Sequence, residues 1–266
     1  MTKIRPRWLW PATILSSVFF VPAAFAQDGD PIETVINALA PDITKETLAQ
    51  IPKVSRKLLA LRSYLRSRSK LEERWSWTAE EIRNFQGSPK QKALLEEVEA
   101  IRAHFAQANP GYEIYANTKV RSLDKQIRNW NRNKSVGQAA GSLLIDWQDK
   151  FCDGTPDCPD LNPKQVRQWL ASYRSRPRAR LAAPGLTLHG RANAIDFQIK
   201  KDGAIYAGTS MGASAKWRKE GWDAKLKASI DVAGPSFEGP LQKPYEPWHY
   251  NYRPAVKLES SRVASD

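Results

Sequence analysis

Two of the three histidines in the chain lie in short segments that also contain a carboxylate. His189 begins the segment His-Gly-Arg-Ala-Asn-Ala-Ile-Asp, which ends at Asp196, and His249 ends the segment Glu246-Pro-Trp-His. Two imidazoles and one carboxylate around an ion with an open fourth position form a catalytic zinc site, and a further carboxylate can then activate water. The residue types are compatible with such a site. The alternative is that the histidines are structural and that the aspartate caps a turn.

Small residues separate His189 from Asp196. Gly190, Ala192 and Ala194 carry little or no side chain, so the backbone can fold tightly before the strand that we predict to carry Asp196. The imidazole and the carboxylate can then converge on one ion.

A proline constrains the second segment. Pro247 biases Glu246 away from helical torsions, so we expect Glu246 and His249 around a bend or at the start of a strand, not one helical turn apart. Both side chains can still point into one cleft. The third histidine, His104, lies in the apolar stripe of a predicted helix, where packing explains it.

These segments resemble two motifs of the VanY-like zinc D-alanyl-D-alanine carboxypeptidases. Thr187-Leu-His-Gly-Arg-Ala-Asn-Ala-Ile-Asp196 is similar to the family's Ser-x-His-x-x-Gly-x-Ala-x-Asp motif, and Glu246-Pro-Trp-His-Tyr is similar to its Glu-Pro-Trp-His motif. The resemblance implies that His189, Asp196 and His249 bind Zn²⁺. It also implies that Glu246 activates the attacking water.

A third segment supports the resemblance. Ala116-Asn-Thr-Lys-Val-Arg121-Ser-x3-Gln126 is similar to the family's Ser-Gly-Tyr-Arg-Ser-x3-Gln segment. Arg121 then becomes the residue that holds the substrate carboxylate or the developing oxyanion, a role that suits a guanidinium fork. With the resemblance, we also expect Gln126, Thr187 and Trp248 to contact substrate.

The chain departs from the family pattern at several places. Ala192 stands where the family has glycine, which matters if that position needs a positive φ, and Thr187 replaces serine but keeps the hydroxyl. The tract 134–184 fits the family poorly, and we expect it to form one wall of the cleft. The helical segment before residue 90 has no counterpart in a resemblance that covers residues 112–252.

The resemblance implies a zinc-dependent peptidoglycan carboxypeptidase that hydrolyses the terminal D-Ala-D-Ala bond of stem peptides. An L,D-carboxypeptidase or a cross-link endopeptidase would use the same ligands. A protein that binds the cell wall without catalysis is a further alternative, although a binding protein has no need for a base beside three ligands.

The elements that must position these residues follow from caps and periodicity. Asp30-Pro31, Thr78-x-x-Glu81 and Ser88-Pro-x-Gln91 predict helix starts, the last two as capping boxes. Beyond residue 111 we expect four strands and four helices. The strands are predicted at 112–116, 194–199, 204–207 and 248–252, and the helices near 123–130, 139–147, 163–170 and 213–230.

The pattern predicts an α+β fold, in which helices flank a small antiparallel sheet around a zinc cleft and an N-terminal helical segment precedes them. We divide the chain into a signal peptide (1–26), an N-terminal helical region (27–90), a catalytic domain (91–254) and a disordered tail (255–266). Residues 53–74 mix leucines with many basic residues, so this stretch is either a membrane-surface helix or a bundle helix with a solvent-exposed basic face.

The first 26 residues are typical of a cleaved secretory signal. Lys3, Arg5 and Arg7 precede an apolar run that ends in Ala24-Phe-Ala26. We expect cleavage there and a periplasmic or secreted protein, with an uncleaved N-terminal anchor as the alternative.

The cysteines and the charge fit export. Cys152 and Cys158 are the two cysteines of the chain, and in an oxidising compartment we expect them to form a disulfide. The net charge of +13 favours either weak attraction to the anionic envelope and membrane surface or mere solubility. The expected partners are peptidoglycan stem peptides. No nucleic-acid partner is expected from an exported protein, and we expect a monomer.

Overall fold

The computed structural model of the chain describes residues 30–153, 158 and 161–254. These residues form an α+β fold with a small antiparallel sheet, which confirms the predicted fold class. The predicted signal peptide and the predicted C-terminal tail lie outside the described residues. Within the described part of the chain, every helix is too short or too polar to cross a bilayer.

The first part of the chain is helical. It contains α1 (Pro31–Leu39), α2 (Lys45–Ala49), α3 (Val54–Ser67), α4 (Ala79–Phe85) and α5 (Pro89–Ala108). The capping box of Thr78 and Glu81 is present as predicted. At α5 the box is modified, because Ser88 caps the amide of Gln91 while the Gln91 side chain accepts from the amide of Gly87 instead of Ser88.

The second part alternates helices and strands. It contains β1 (Tyr112–Ala116), α6 (Leu123–Arg132), α7 (Lys134–Phe151), α8 (Pro163–Ser172), β2 (Ala194–Lys201), β3 (Ala204–Ala207), α9 (Ser214–Lys219), α10 (Trp222–Ala233), β4 (Phe237–Glu238), β5 (Leu241–Gln242), β6 (Tyr245–Glu246) and β7 (His249–Tyr252). The helix predicted over 213–230 is two helices, because Gly221 adopts a left-handed conformation with φ of 71° and ends the first.

The sheet has the order β1-β2-β7-β4, with β3 also paired to β2, and all of these pairs are antiparallel. The β2–β7 register places Asp196 directly opposite His249. β5 and β6 form a separate hairpin in which Leu241 pairs with Glu246. The sheet therefore carries two of the predicted ligands on neighbouring strands, and the hairpin carries the predicted base.

Buried side chains form two hydrophobic cores. One is a helical bundle built from α1, α3, α7 and α8, and the other packs α5 and α10 against the sheet. Leu58, Leu59, Leu61 and Leu65 of α3 are all buried in the first core. The apolar face of the basic stretch 53–74 thus belongs to a bundle and is not available to a membrane.

These cores do not divide at residue 90. The bundle core takes residues 32–71 and then residues 130–186, whereas the sheet core takes residues 85–114 and then residues 192–252. The bundle is completed by α7 and α8, so the N-terminal helices do not form a separate unit. Buried Arg56 links the N-terminal helix α3 to α6 within the bundle, because its guanidinium donates to the carbonyls of Trp130 and Asn133 at the end of α6.

Candidate metal centre

Three side chains converge at the end of the β2–β7 pair. Asp196 lies on β2, and His249 is the first residue of β7. His189 lies in a 3₁₀ turn, Leu188–Arg191, that leads into β2. The register across the two strands and the tight turn before β2 are what bring the three together.

The distances suit a metal ion. His249 Nδ1 lies 3.0 Å from Asp196 Oδ1, and His189 Nε2 lies 3.3 Å from Asp196 Oδ2. One ligand atom from each of the three residues lies within 4.8 Å of the others. Ligand atoms around a tetrahedral ion with bonds of 2.0–2.1 Å are about 3.4 Å apart. This group can therefore hold a metal ion.

The charge states of the group also suit a metal. Burial disfavours the charged form of Asp196, but hydrogen bonds with His189 and His249 outweigh burial and lower its pKa well below the usual range. Burial lowers the pKa of His189, which favours the neutral imidazole despite the opposing effect of Asp196. A carboxylate and a neutral imidazole are the forms that bind metal ions.

The turn that carries His189 has an unusual backbone. Ala192, which ends the turn, has a φ of 55° in the left-handed region, and the amide of Asn193 bonds to the carbonyl of Leu188. This is the position at which the VanY-like motif has glycine. The chain thus adopts the positive φ with alanine, at a cost in conformational strain of about 1 kcal/mol.

Glu246 lies beside the three ligands without joining them. Its Oε2 is 4.0 Å from His249 Nδ1, and its side chain is half-buried. Burial raises its pKa, and the negative charge of Asp196 acts in the same direction, while His249 and Arg121 oppose the shift. A carboxylate with a raised pKa is a better proton acceptor than an exposed one.

The hairpin that carries Glu246 is anchored next to it. The Tyr245 hydroxyl donates to Asp223 of α10, and the guanidinium of Arg218 lies 4.2 Å from the centre of the Tyr245 ring. These contacts fix the hairpin against α9 and α10.

Arg121 belongs to the same site. Its Nη2 lies 3.5 Å from Asp196 Oδ2, and its backbone amide donates to the carbonyl of His189 at 2.9 Å. The structure therefore brings all five residues predicted to act in metal binding and catalysis into one place: His189, Asp196, His249, Glu246 and Arg121.

Gln126 does not face substrate, which corrects the prediction for this residue. It is 6% exposed, and its Nε2 donates to Ser76 Oγ and to the carbonyl of Arg121, while its Oε1 accepts from the amide of Gly185. Both the nitrogen and the oxygen of its side-chain amide are therefore hydrogen-bonded inside the protein. Gln126 thus positions the backbone of Arg121.

Trp248 is also placed differently from the prediction. It is 2% exposed in the sheet core, where its ring lies 6.2 Å from that of Trp217, and its carbonyl accepts from the amide of Phe197. Because Trp248 is anchored in the sheet core, it fixes the backbone between Glu246 and His249. Thr187 is partly exposed before the turn of His189, and its contact with substrate stays a prediction.

A pocket of about 330 Å³ opens beside the ligands. Its lining residues come from β1, the segment 117–125, the turn of His189, β2 and the loop after β3: Tyr115, Asn117, Lys119, Val120, Arg121, Ser122, Lys125, His189, Asp196, Gln198 and Thr209. None of the described residues of the tract 134–184 lines it. The expectation that this tract forms a cleft wall is wrong, because the tract forms α7, α8 and part of the bundle core.

Sequence reasoning missed the support beneath the site. The amide of Trp77 donates to the carbonyl of Gly190, and the amide of Ser76 donates to the carbonyl of Gly185. Both residues precede residue 90, in the part of the chain for which the resemblance has no counterpart. Nothing in their spacing indicates that they reach a turn more than 100 residues later.

Comparisons with protein-family models, with curated proteins and with solved structures find no match to this chain.

Proposed function

We propose that this protein is a zinc-dependent peptidoglycan carboxypeptidase that removes the terminal residue of a D-Ala-D-Ala stem peptide. The observation that carries the proposal is the convergence of His189, Asp196 and His249 on one point, with Glu246 beside them but outside the ligand group. A structural histidine cluster does not require the extra carboxylate. The same four residues carry the resemblance to the VanY-like enzymes.

Zinc is the metal that we propose because two imidazoles and one carboxylate are a recurrent ligand set of catalytic zinc sites. When bound, the ion would polarise the scissile carbonyl and make water more acidic. The chain supplies the proton transfers. Glu246 accepts a proton from the attacking water and later delivers one to the leaving amine, and its burial makes it more basic.

Arg121 supplies positive charge next to Asp196. Its guanidinium can hold a substrate carboxylate or the oxyanion that develops at the scissile carbonyl. Hydrogen bonds from the Arg121 amide to the carbonyl of His189 and from Gln126 to the carbonyl of Arg121 fix its backbone, and the guanidinium lies 3.5 Å from Asp196 Oδ2.

The pocket beside the ligands suits a substrate with a free C-terminal carboxylate. Lys119, Arg121 and Lys125 line it, whereas Asp196, itself a ligand, is the acidic residue among its described lining residues. This excess of positive charge favours an anionic peptide end. It supports a carboxypeptidase over cleavage in the middle of a chain.

Two features support activity outside the cytoplasm. The structure joins Cys152 and Cys158 in a disulfide, as the sequence predicts, and stable disulfides belong to oxidising compartments. The sequence of the first 26 residues is typical of a secretory signal. In the envelope a monomeric enzyme of this kind would meet peptidoglycan directly.

The test is to incubate the purified protein with defined muropeptides, with and without a metal chelator, and to identify the products by mass. We expect one alanine to be released from the pentapeptide, and the chelator to stop the reaction. Loss of alanine from the tetrapeptide instead would indicate an L,D-carboxypeptidase, and cleavage of dimers alone would indicate an endopeptidase. Binding of muropeptides without any product would contradict the enzymatic proposal and favour a wall-binding protein.

A further inference from the structure

A second pocket lies in the helical bundle, away from the metal centre. It has a volume of about 370 Å³ and opens between α3, Arg74 and the segment 175–186. Three arginines line it, namely Arg62, Arg66 and Arg74. None of the residues that line the pocket beside the metal ligands belongs to it.

The arginines of this pocket form no ion pair with any carboxylate that the structure describes. Among the described residues, no carboxylate lines the pocket, and no carboxylate forms an ion pair with Arg62, Arg66 or Arg74. Asp146 is connected to Arg62 only through Tyr173, whose carbonyl accepts from Arg62 and whose hydroxyl donates to Asp146. Within the described part of the chain, the arginines of the pocket therefore lack a carboxylate that pairs with them.

Arg62 is held in place at the base of this cluster. Its Nε and Nη2 donate to the carbonyl of Tyr173 at 2.8 and 2.7 Å, and its Nη1 donates to no described residue. A carbonyl oxygen fixes the guanidinium but carries no charge that could neutralise it. One edge of the guanidinium is thus oriented by the backbone and the other remains free to bind a ligand.

Further arginines increase the local charge. Burial lowers the pKa of Arg62 to about 10, and repulsion from Arg66, Arg174 and Arg178 contributes to the shift. All three are exposed. Arg66 lines the pocket and donates to the carbonyl of Tyr173 at 3.5 Å, whereas Arg174 and Arg178 are not lining residues but lie close enough for their charges to act on Arg62. Ser175 lines the same pocket, is 6% exposed, and its hydroxyl has no hydrogen-bond partner among the described residues.

We propose that this pocket is an anion site that binds a phosphate group. Guanidinium forks match the oxygen atoms of a phosphate in pairs, and several of them together suit a group with more than one negative charge. A single carboxylate would leave most of this charge unneutralised. The phosphate comes either from a soluble phosphorylated compound or from a lipid head group.

The test uses pyrophosphate as the probe, on protein freed of metal by a chelator that is then removed, so that the probe has no ion to bind at the other site. Isothermal titration calorimetry at low ionic strength should show binding by the wild-type protein. The variant Arg66→Gln/Arg74→Gln should weaken it about 10-fold or more, since each lost guanidinium removes charge-assisted hydrogen bonds. Both residues are exposed, so we expect the variant to fold normally, which thermal unfolding without probe would check.

The matched control is Arg83→Gln/Lys92→Gln, which removes the same charge from exposed positions on α4 and α5. It should bind pyrophosphate as the wild type does. Absence of binding by the wild type, or equal weakening in both double variants, would overturn the proposal. Equal weakening would show attraction to the net charge alone.

Sedimentation with vesicles distinguishes the two sources of phosphate. Vesicles of phosphatidylcholine that contain phosphatidic acid are compared with vesicles of phosphatidylcholine alone. Co-sedimentation that is specific to phosphatidic acid, lost in Arg66→Gln/Arg74→Gln and kept in the control, assigns the site to a lipid head group. Pocket-dependent pyrophosphate binding without co-sedimentation assigns it to a soluble ligand.

Discussion

Asp196 and His249 face each other across two paired strands, whereas Glu246 approaches from a short hairpin outside the sheet. Asp196 and His249, as proposed ligands, and Glu246, as the proposed base, are thus positioned by different elements. Two of the three proposed ligands, Asp196 and His249, are fixed by the register of β2 and β7, and a shift by one residue would turn Asp196 to the other face. Glu246 can therefore be substituted without disturbing the pairing of β2 with β7.

The first prediction separates ligand from base. His249→Ala removes one of three protein ligands, so bound zinc and activity should fall together. Glu246→Gln keeps nearly the same shape and leaves the ligands in place, so zinc should stay near one equivalent while turnover falls about 100-fold or more. Metal analysis and a rate measurement on the same preparations provide the comparison.

A matched control is Glu238→Gln, which changes an exposed carboxylate on β4 that pairs with exposed Arg253. It should keep both zinc and turnover. If Glu246→Gln loses zinc as completely as His249→Ala, Glu246 is a metal ligand and not the base. If Glu246→Gln stays fully active, the proposed hydrolytic mechanism is wrong as well.

The sequence predicted the three side chains that converge better than the orientation of the residues around them. Motif spacing identifies which residues come together, because the types that bind metals are few and His189, Asp196 and His249 are chemically distinctive. It does not show which way a side chain points. Gln126 lies in the segment of Arg121 and Trp248 in the motif of His249, yet both turn inward, since the amide satisfies buried backbone groups and the indole fills the sheet core.

At the scale of elements, the site depends on a contact between distant turns. The turn of His189 packs on Ser76, and a methyl group at Gly190 would lie 2.1 Å from Ser76 Oγ and 2.8 Å from Gln126 Nε2. Only glycine leaves room for these hydrogen-bonding groups. Local periodicity predicts the helices on either side of Ser76 but cannot predict this approach, because it joins segments separated by more than 100 residues.

The second prediction tests this contact with Gly190→Ala. The added methyl group must displace Ser76 or Gln126, so we expect a loss of stability of about 1–3 kcal/mol, as in other overpacked sites. Because the turn carries His189, metal affinity should also fall, by about 10-fold, the lower end of the effect of losing support around a ligand. Denaturant unfolding and metal titration measure the two effects.

The control for this substitution is Gly141→Ala in α7. A methyl group there would meet nothing within 4 Å, so the helix should gain about 0.5–1 kcal/mol and metal affinity should not change. Equal behaviour of the two variants would show that Gly190 has no special role in holding the turn.

The third prediction concerns the disulfide at the end of α7. No free thiol should be found when the denatured, unreduced protein is titrated, because Cys152 and Cys158 are bonded to each other. Replacing both by serine should cost about 2 kcal/mol, since the closed loop is short. Metal affinity should stay unchanged because the disulfide packs in the bundle core. Two titratable thiols, or a loss of metal binding in the variant, would contradict the prediction.

At the scale of the whole molecule, the two cores are interleaved along the chain. Residues 32–71 and 130–186 build the bundle, and residues 85–114 and 192–252 build the sheet half. A prediction from local sequence divides such a chain at one boundary, because it detects where the local hydrophobic pattern changes. It does not show which distant helices or strands each helix packs against. The N-terminal helices are consequently part of the structure that supports the metal centre.

The last prediction follows from this interleaving: the bundle and the sheet half should unfold as one unit. The halves are joined by hydrogen bonds to backbone carbonyls, from Arg191 beside the sheet core to Glu73 and from Gln126 of α6 to Arg121, so neither half can unfold without breaking the other's support. Metal bound at a concentration of about 100 times its Kd stabilises the native state by about 2.7 kcal/mol. In hydrogen exchange followed by mass spectrometry, the most protected amides of α3 should then slow about 100-fold on adding zinc, as should those of β2, although α3 contributes no ligand. If zinc slows exchange in β2 and β7 and leaves α3 unchanged, the two cores are separate cooperative units and the bundle does not support the metal centre.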